Sequence, residues 1–205
     1  MKKIILPIFV LIFSSCAYMY QPIKMETVNF AEQTDTNLKI AIQYSTDDLF
    51  ENSTNKRLYK KSIRKNTQPL VIKVVNNTEK EVYFDSLNIE IFMNYSKTQM
   101  LSNKEFYKTL KQKSSLYSLY LLGNSLAFGL SSNGVVFNIY PLILFSTISV
   151  ANISLATISN QKIKQDISKY SLQNKVIPPN SEVYGLVFIK TDSINNVLIR
   201  YKYDK

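Results

Sequence analysis

The sequence predicts an α+β fold in which antiparallel strands build the body and a hydrophobic helical pair is inserted between them. Three observations predict it. Five or six short segments alternate apolar and polar residues with period two, as a strand with one buried face does. Clusters of turn formers such as "NNTEKE" (76–81) and "PPNS" (178–181) separate them. Between the third strand and the last two, the stretch from Ser114 to Gln161 contains no charged residue.

The elements follow in chain order. In "LKIAIQY", Leu38, Ile40, Ile42 and Tyr44 fall on one side. A basic run comes next, "NKRLYKKSIRKN" (55–66), carrying Lys56, Arg57, Lys60, Lys61, Arg64 and Lys65. On a helical wheel these six occupy one half, with Leu58, Tyr59, Ser62 and Ile63 on the other. A short basic amphipathic helix over 56–65 is therefore expected, docked by its apolar half. Its charged half suits an anionic surface of lipid head groups, at about 1 kcal/mol per basic residue; it equally suits a solvated face. "PLVIKVV" is apolar on both faces except at Lys73, as a central strand would be, and Pro69 fits a strand start. In "VYFDSLNIEIFM", Leu87, Ile89, Ile91 and Met93 alternate with Asn88 and Glu90.

The inserted segment spans 103–172. "NKEFYKTLKQK" leads in and "KIKQDISKYSL" leads out at helical spacing, and two helices joined near "SSNG" (131–134) are expected between them. Pro141 belongs near the start of the second. Each arm is about long enough to reach across a hydrocarbon core of roughly 30 Å. Lysines flank both ends (Lys111, Lys113, Lys162, Lys164), which would keep both on one side of a membrane. Recurrent Ser, Thr and Asn fit a helical pair packed on the sheet or on a partner as well. The sequence alone leaves the hairpin 114–161 free to span, rest on or avoid a membrane. After it, "EVYGLVFIK" and "NNVLIRYKY" supply the last strands, the latter with Val197, Ile199, Tyr201 and Tyr203 on one face. Strands of this number and spacing predict an antiparallel immunoglobulin-like β-sandwich.

The chain has 205 residues, 45% of them hydrophobic and 20% charged, within the range of one folded domain. A formal net charge of +10 points to acidic surroundings. With no histidine, Ser-His and Cys-His nucleophile pairs and the common zinc sites are unavailable. Four glycines, three of them in the hairpin, form no phosphate-cradling loop. "STDDLFEN" gathers Asp47, Asp48 and Glu51 but lacks the glycine and regular spacing of a calcium loop. The sequons at Asn52, Asn76, Asn94 and Asn152 read as chance in an Asn- and Ser-rich chain. These points lead to the expectation of a protein that is not an enzyme and has no cofactor, metal or catalytic residues.

The N-terminus is the most specific signal. Lys2 and Lys3 form a positive n-region, Ile4 to Phe13 an apolar h-region, and Ser14 and Ser15 precede Cys16, the one cysteine of the chain. This stretch resembles the lipobox of bacterial lipoproteins, in which a peptidase cuts before the cysteine; the alternative is an ordinary signal or anchor with Cys16 incidental. The resemblance implies a signal peptide at 1–15, a mature domain at 16–205, and lipid attachment at Cys16 through a thioether-linked diacylglyceryl group and an amide-linked acyl chain. Several chains give stable anchoring where one is marginal. Ala17 at the next position, with no Asp there, implies by the same resemblance the outer membrane, facing the periplasm. "NKRLYKKSIRKNTQPLVIKVVNNTEKEVYF" and "VIPPNSEVYGLVFIK", bracketing the uncharged segment, resemble a group of uncharacterised lipoproteins of Gram-negative bacteria. The expected partners are thus the membrane, through the N-terminal lipid, and an envelope protein or a second copy, through the hairpin. Nucleic acid is not expected in that compartment.

Overall fold

The computed structural model describes residues 16–25, 28, 30, 40–45, 55–131, 134–194 and 197–202. The signal peptide at 1–15, Leu38, the cluster of Asp47, Asp48 and Glu51, Asn52, the turn residues Ser132 and Asn133, and Tyr203 lie outside the described residues. The fold is α+β, with antiparallel sheets and three α-helices among the described residues. It forms two compact units, Gln21–Lys111 with Ile163–Lys205 and Met1–Tyr20 with Gln112–Lys162.

The first of these is the β unit. Strands β1 (Ile40–Ser45), β2 (Thr67–Asn76) and β9 (Ser181–Lys190) form one sheet in the order β1-β2-β9. β2 is central, and its pairing with β1 stops at Val71. Among the described residues, 67–70 are paired on the β9 side only, which is the edge environment proline tolerates and which holds Pro69. Lys73, the polar position in this apolar strand, binds Glu182 at 2.8 Å and lies 5.4 Å from the centre of the Tyr184 ring.

The other edge of β9 is covered. Leu101 N donates to Phe188 O at 2.7 Å, Lys190 N to Gln99 O at 3.0 Å, and Leu172 N to Leu186 O at 3.0 Å. Gly185 sits where this last segment crosses. A side chain there would meet the Tyr170 carbonyl oxygen and the Leu172 side chain.

A second sheet has the order β10-β4-β5, from Val197–Tyr201, Ile89–Met93 and Ser96–Lys97. A two-residue turn joins β4 to β5, with Asn94 and Tyr95 both at positive φ, 49° and 65°, as a hairpin turn matching strand twist requires. β4 begins at Ile89, not before. Asp85 Oδ1 accepts from the backbone N–H of Leu87 (2.9 Å) and Asn88 (2.8 Å), folding 85–88 into a turn that leaves Leu87 exposed. The alternation expected from Leu87 onward thus starts one step later.

β3 (Val82–Phe84) pairs with β8 (Lys175–Ile177). Side chains of all three sheets meet in one core cluster: Ile40, Leu70, Ile72, Val74, Val187 and Ile189; Ile89, Ile91 and Met93; Val82, Phe84 and Ile177; with Leu172.

Asn76 ends β2 fully buried and acts as a polar knot. The two N–H groups of its Nδ2 serve three carbonyls, Lys80 (2.8 Å) and Pro178 (2.9 Å) at short range and Ile177 (3.3 Å) through a shared hydrogen. Its Oδ1 accepts from Thr78 N (3.1 Å) and Oγ1 (2.7 Å). The asparagine of an apparent sequon is a structural residue with no free amide to glycosylate.

Helix α1 is Lys56–Ile63 and α2 is Asn103–Leu110. A capping box starts α2: Ser102 Oγ accepts from Glu105 N (3.2 Å), and Glu105 Oε2 accepts from Ser102 N (2.8 Å) and Oγ (2.7 Å). These bonds hold the Glu105 carboxyl below its ordinary pKa. Phe106 on α2 stacks on Phe188 of β9, ring centres 4.0 Å apart.

The second unit differs from the expected pair of α-helices. Its first arm, Ser114–Ala127, is wound as a 3₁₀ helix. Within it Ser118 and Ser125 donate their hydroxyls to the carbonyls three residues back, Ser115 (2.6 Å) and Leu122 (2.8 Å). A two-stranded ribbon follows, β6 (Phe128–Ser131) with β7 (Gly134–Phe137). Helix α3, Ile139–Tyr170, returns the chain. Asn138 Oδ1 accepts from Tyr140 N at 3.0 Å, and Pro141 lies in the first turn, where its missing N–H leaves no carbonyl unmatched.

Candidate functional site

The predicted basic surface is on α1. Leu58 and Ser62 are buried and Tyr59 and Ile63 half-buried, so the helix docks by that side. Lys56, Arg57, Lys60, Arg64 and Lys65 are exposed. Lys61 is different: its Nζ donates to the carbonyls of Leu110 (3.2 Å) and Lys111 (2.6 Å), closing the C-terminus of α2, where a cation meets the negative end of the helix dipole. Helix α1 ends at Ile63; Arg64 is its C-cap and Lys65 lies in the following turn, which Asn66 completes at φ 50°. Lys56 and Arg57 stand at the positive end of their own helix dipole, an arrangement that does not stabilise the helix.

No group of three or more metal-ligating side chains occurs among the described residues. A groove beside β4 is lined by Ser86, Ile89, Glu90, Lys97 and Met100. Its carboxylate is engaged: Glu90 Oε1 binds Lys97 Nζ at 2.7 Å and Lys202 Nζ at 3.2 Å, and the bonds to these two lysines lower its pKa.

Cys16 is exposed, and the peptide that follows it is held residue by residue. Ala17 N donates to Asn152 Oδ1 at 2.7 Å. Tyr18 is clasped on both sides, its N–H to Gln112 Oε1 (3.2 Å) and its carbonyl accepting from Gln112 Nε2 (2.7 Å) and Ser159 Oγ (2.8 Å). Tyr20 N donates to Ser159 Oγ at 3.1 Å. In the β unit, Gln21 exchanges two bonds with the buried Asn55 side chain (3.2 and 2.9 Å), and Ile23 N donates to Asp166 Oδ2 at 2.9 Å. The acceptors Asn152, Ser159 and Asp166 recur every seventh residue on α3.

Packing within the second unit is inverted. The inward side of α3 carries Ser149 and Ser159, both 0% exposed, and Asn152 at 8%, beside the buried Phe145 and Ala156. Ile143 (57%) and Val150 (63%) face outward, together with Ile139, Tyr140, Leu144 and Ile158. On the 3₁₀ arm Leu116, Leu119, Leu122 and Leu126 are exposed. The ribbon exposes Phe128, Val135, Val136 and Phe137. Between the arms the contacts are polar or small: Ser149 Oγ to Tyr117 O (2.9 Å), Asn124 Nδ2 to Ser146 Oγ (3.2 Å), and Gly123, whose missing side chain admits the Phe145 ring. Water drives apolar groups inward, and here most of the large apolar side chains face out while serines and an asparagine share the interior with Phe145 and Ala156. α3 is also the one helix among the described residues that is long and apolar enough to cross a membrane.

The sequence singled out Cys16 and the basic helix but missed Asn152, Gln112 and Ser159. Ser146, Thr147, Ser154 and Thr157 interrupt the same apolar helix, so no sequence signal sets Asn152 and Ser159 apart from them. Comparison with protein-family models, with curated proteins and with solved structures found no match.

Proposed function

We propose that the chain is a non-enzymatic, membrane-anchored lipoprotein of a bacterial envelope, in the outer membrane and facing the periplasm, and that it works as a structural or protein-interaction module. In this reading the β unit is an immunoglobulin-like sandwich, a view supported by two three-stranded sheets that share one core. The sandwich is the body presented to the periplasm, and the hairpin is the contact surface. The observation that carries the reading is the inverted packing of 112–162, since a surface made of leucine, valine and phenylalanine requires an apolar neighbour. The lipobox-like sequence supplies the tether: acyl groups on Cys16 anchor the body and bring that surface to the envelope.

The test is maturation in a Gram-negative host. The parent chain is expected to begin at Cys16 with a first peptide carrying lipid mass. The Cys16→Ser chain should keep residues 1–15 and migrate as the longer precursor. Identical maturation of the two chains, with no lipid on the parent's first peptide, would overturn the reading.

A second reading is favoured by the exposed cations of α1, which form no ion pair among those found in the described residues. Here the module binds an anionic or lipidic envelope ligand. The Cys16→Ser chain should then bind anionic liposomes in low salt. Reversing Lys56, Arg57, Lys60 and Arg64 together, while sparing Lys61 for its structural role, should weaken binding by about a hundredfold or more, at roughly 1 kcal/mol per cation. Binding that ignores both salt and charge reversal would remove this second reading.

A further inference from the structure

We infer that the finger formed by the 3₁₀ arm, the β6–β7 ribbon and the first half of α3 is a membrane-insertion element that enters the bilayer beside the acyl chains of Cys16 and passes the midplane. The inference rests on the lipoprotein reading and names the partner of its contact surface as hydrocarbon. Three features select hydrocarbon over a protein surface. Apolar exposure occurs on both arms and on the ribbon, whereas a protein partner would need one apolar face and leave the rest polar. No charged residue falls between Ser114 and Gln161. The interior is held by hydrogen bonds and small residues, the means by which helices associate where the solvent is itself apolar.

The position of Cys16 sets depth and direction. Ala17 is bonded to Asn152, so the lipidated residue lies at that level of α3. At this end of the finger Gln112 N donates to Asn160 Oδ1 (2.7 Å) and Asn160 Nδ2 to Gln112 O (2.9 Å). Lys113 and Lys162 flank that joint, where cations meet head-group phosphates. From Asn152 back to Ile139 the helix rises about 20 Å, against roughly 15 Å for half the hydrocarbon core. The ribbon adds at most about 13 Å. Its unpaired backbone edges are poorly suited to hydrocarbon. The far head-group layer lies within reach of helix plus ribbon.

The test uses the full lipidated chain in vesicles of phosphatidylethanolamine and phosphatidylglycerol. Cys16 is the one native cysteine, and as a thioether it does not react with thiol probes. Single cysteines replacing Leu122, Ile143, Val150 or, as an aqueous control, Leu87 can therefore each carry an environment-sensitive fluorophore. Probes at Leu122 and Ile143 should lose most of their emission to lipids spin-labelled deep in the chain. The probe at Val150 should respond best to labels near the head group, and the probe at Leu87 only to aqueous iodide.

Iodide quenching at Leu122 and Ile143 would overturn the inference. So would protection from both iodide and lipid quenchers, which would make a second copy the occupant. The mass of the first peptide, read on the same samples, keeps the two ideas separate. Acylated chains with water-exposed fingers would sink the insertion and leave the lipoprotein. Lipid-free chains with quenched probes would sink the lipoprotein and support insertion.

Discussion

Replacing Asn76 by alanine is expected to lower the unfolding free energy by about 4 kcal/mol, among the largest single-residue effects in the chain. The amide nitrogen serves three carbonyls and the amide oxygen holds Thr78, and the residue is fully buried. Truncation removes both N–H groups and leaves the Ile177 and Pro178 carbonyls without their donor beside the paired ends of β2 and β9. Asn76→Asp should be at least as damaging, because it keeps the acceptor, removes the donors and leaves a carboxylate facing carbonyls. Asn88→Ala, which removes one exposed bond of 3.4 Å, should change stability by no more than about 0.5 kcal/mol. Urea unfolding of the full chain in mild detergent measures all three. Equal midpoints for Asn76→Ala and Asn88→Ala would show that the knot contributes little.

Gly185→Ala is expected to cost about 3 kcal/mol, an overpacking penalty at the upper end of the usual range. A methyl group at this position would meet the Tyr170 carbonyl oxygen, which is backbone, and the Leu172 side chain at 2.5 Å. Leu172 is bonded through its N–H to Leu186, so neither neighbour moves without opening the cover over β9. Gly129→Ala is the matched control, since the nearest atom to its methyl would be 3.8 Å away. The same denaturation series should place Gly129→Ala within about 0.5 kcal/mol of the parent. If the two alanine variants unfold together, the crossing at Gly185 is looser than its geometry indicates.

These two residues illustrate what the sequence discloses. Strand β10 and the core side of β4 were legible because period-two alternation records which face is buried, as at Val197, Ile199, Ile89 and Ile91. The docked half of α1 was legible by the same logic at helical period. Leu87 misled because an Asp85 turn, a local hydrogen-bond choice, overrode an alternating pattern. The first arm of the finger misled because apolar spacing does not distinguish an α-helix from a 3₁₀ helix. Least legible of all was the clasp around Ala17 and Tyr18. Asn152 is 135 residues away from its partner, and nothing at either end of that pair announces the other. Asn76 and Asn152 each sit in a sequon pattern that reads as chance, and the pattern says nothing of the structural bonds both make.

The clasp has a mechanical consequence. With the amides of 17, 18, 20, 21 and 23 each held by a side chain, Cys16 has almost no leash. A free linker of the seven residues 17–23 would let an anchor wander by about 15 Å. If Cys16 carries the proposed acyl chains, a pull on them would reach Asn152 after a single peptide unit, so drag from the lipid would be felt by the fold rather than lost in slack chain.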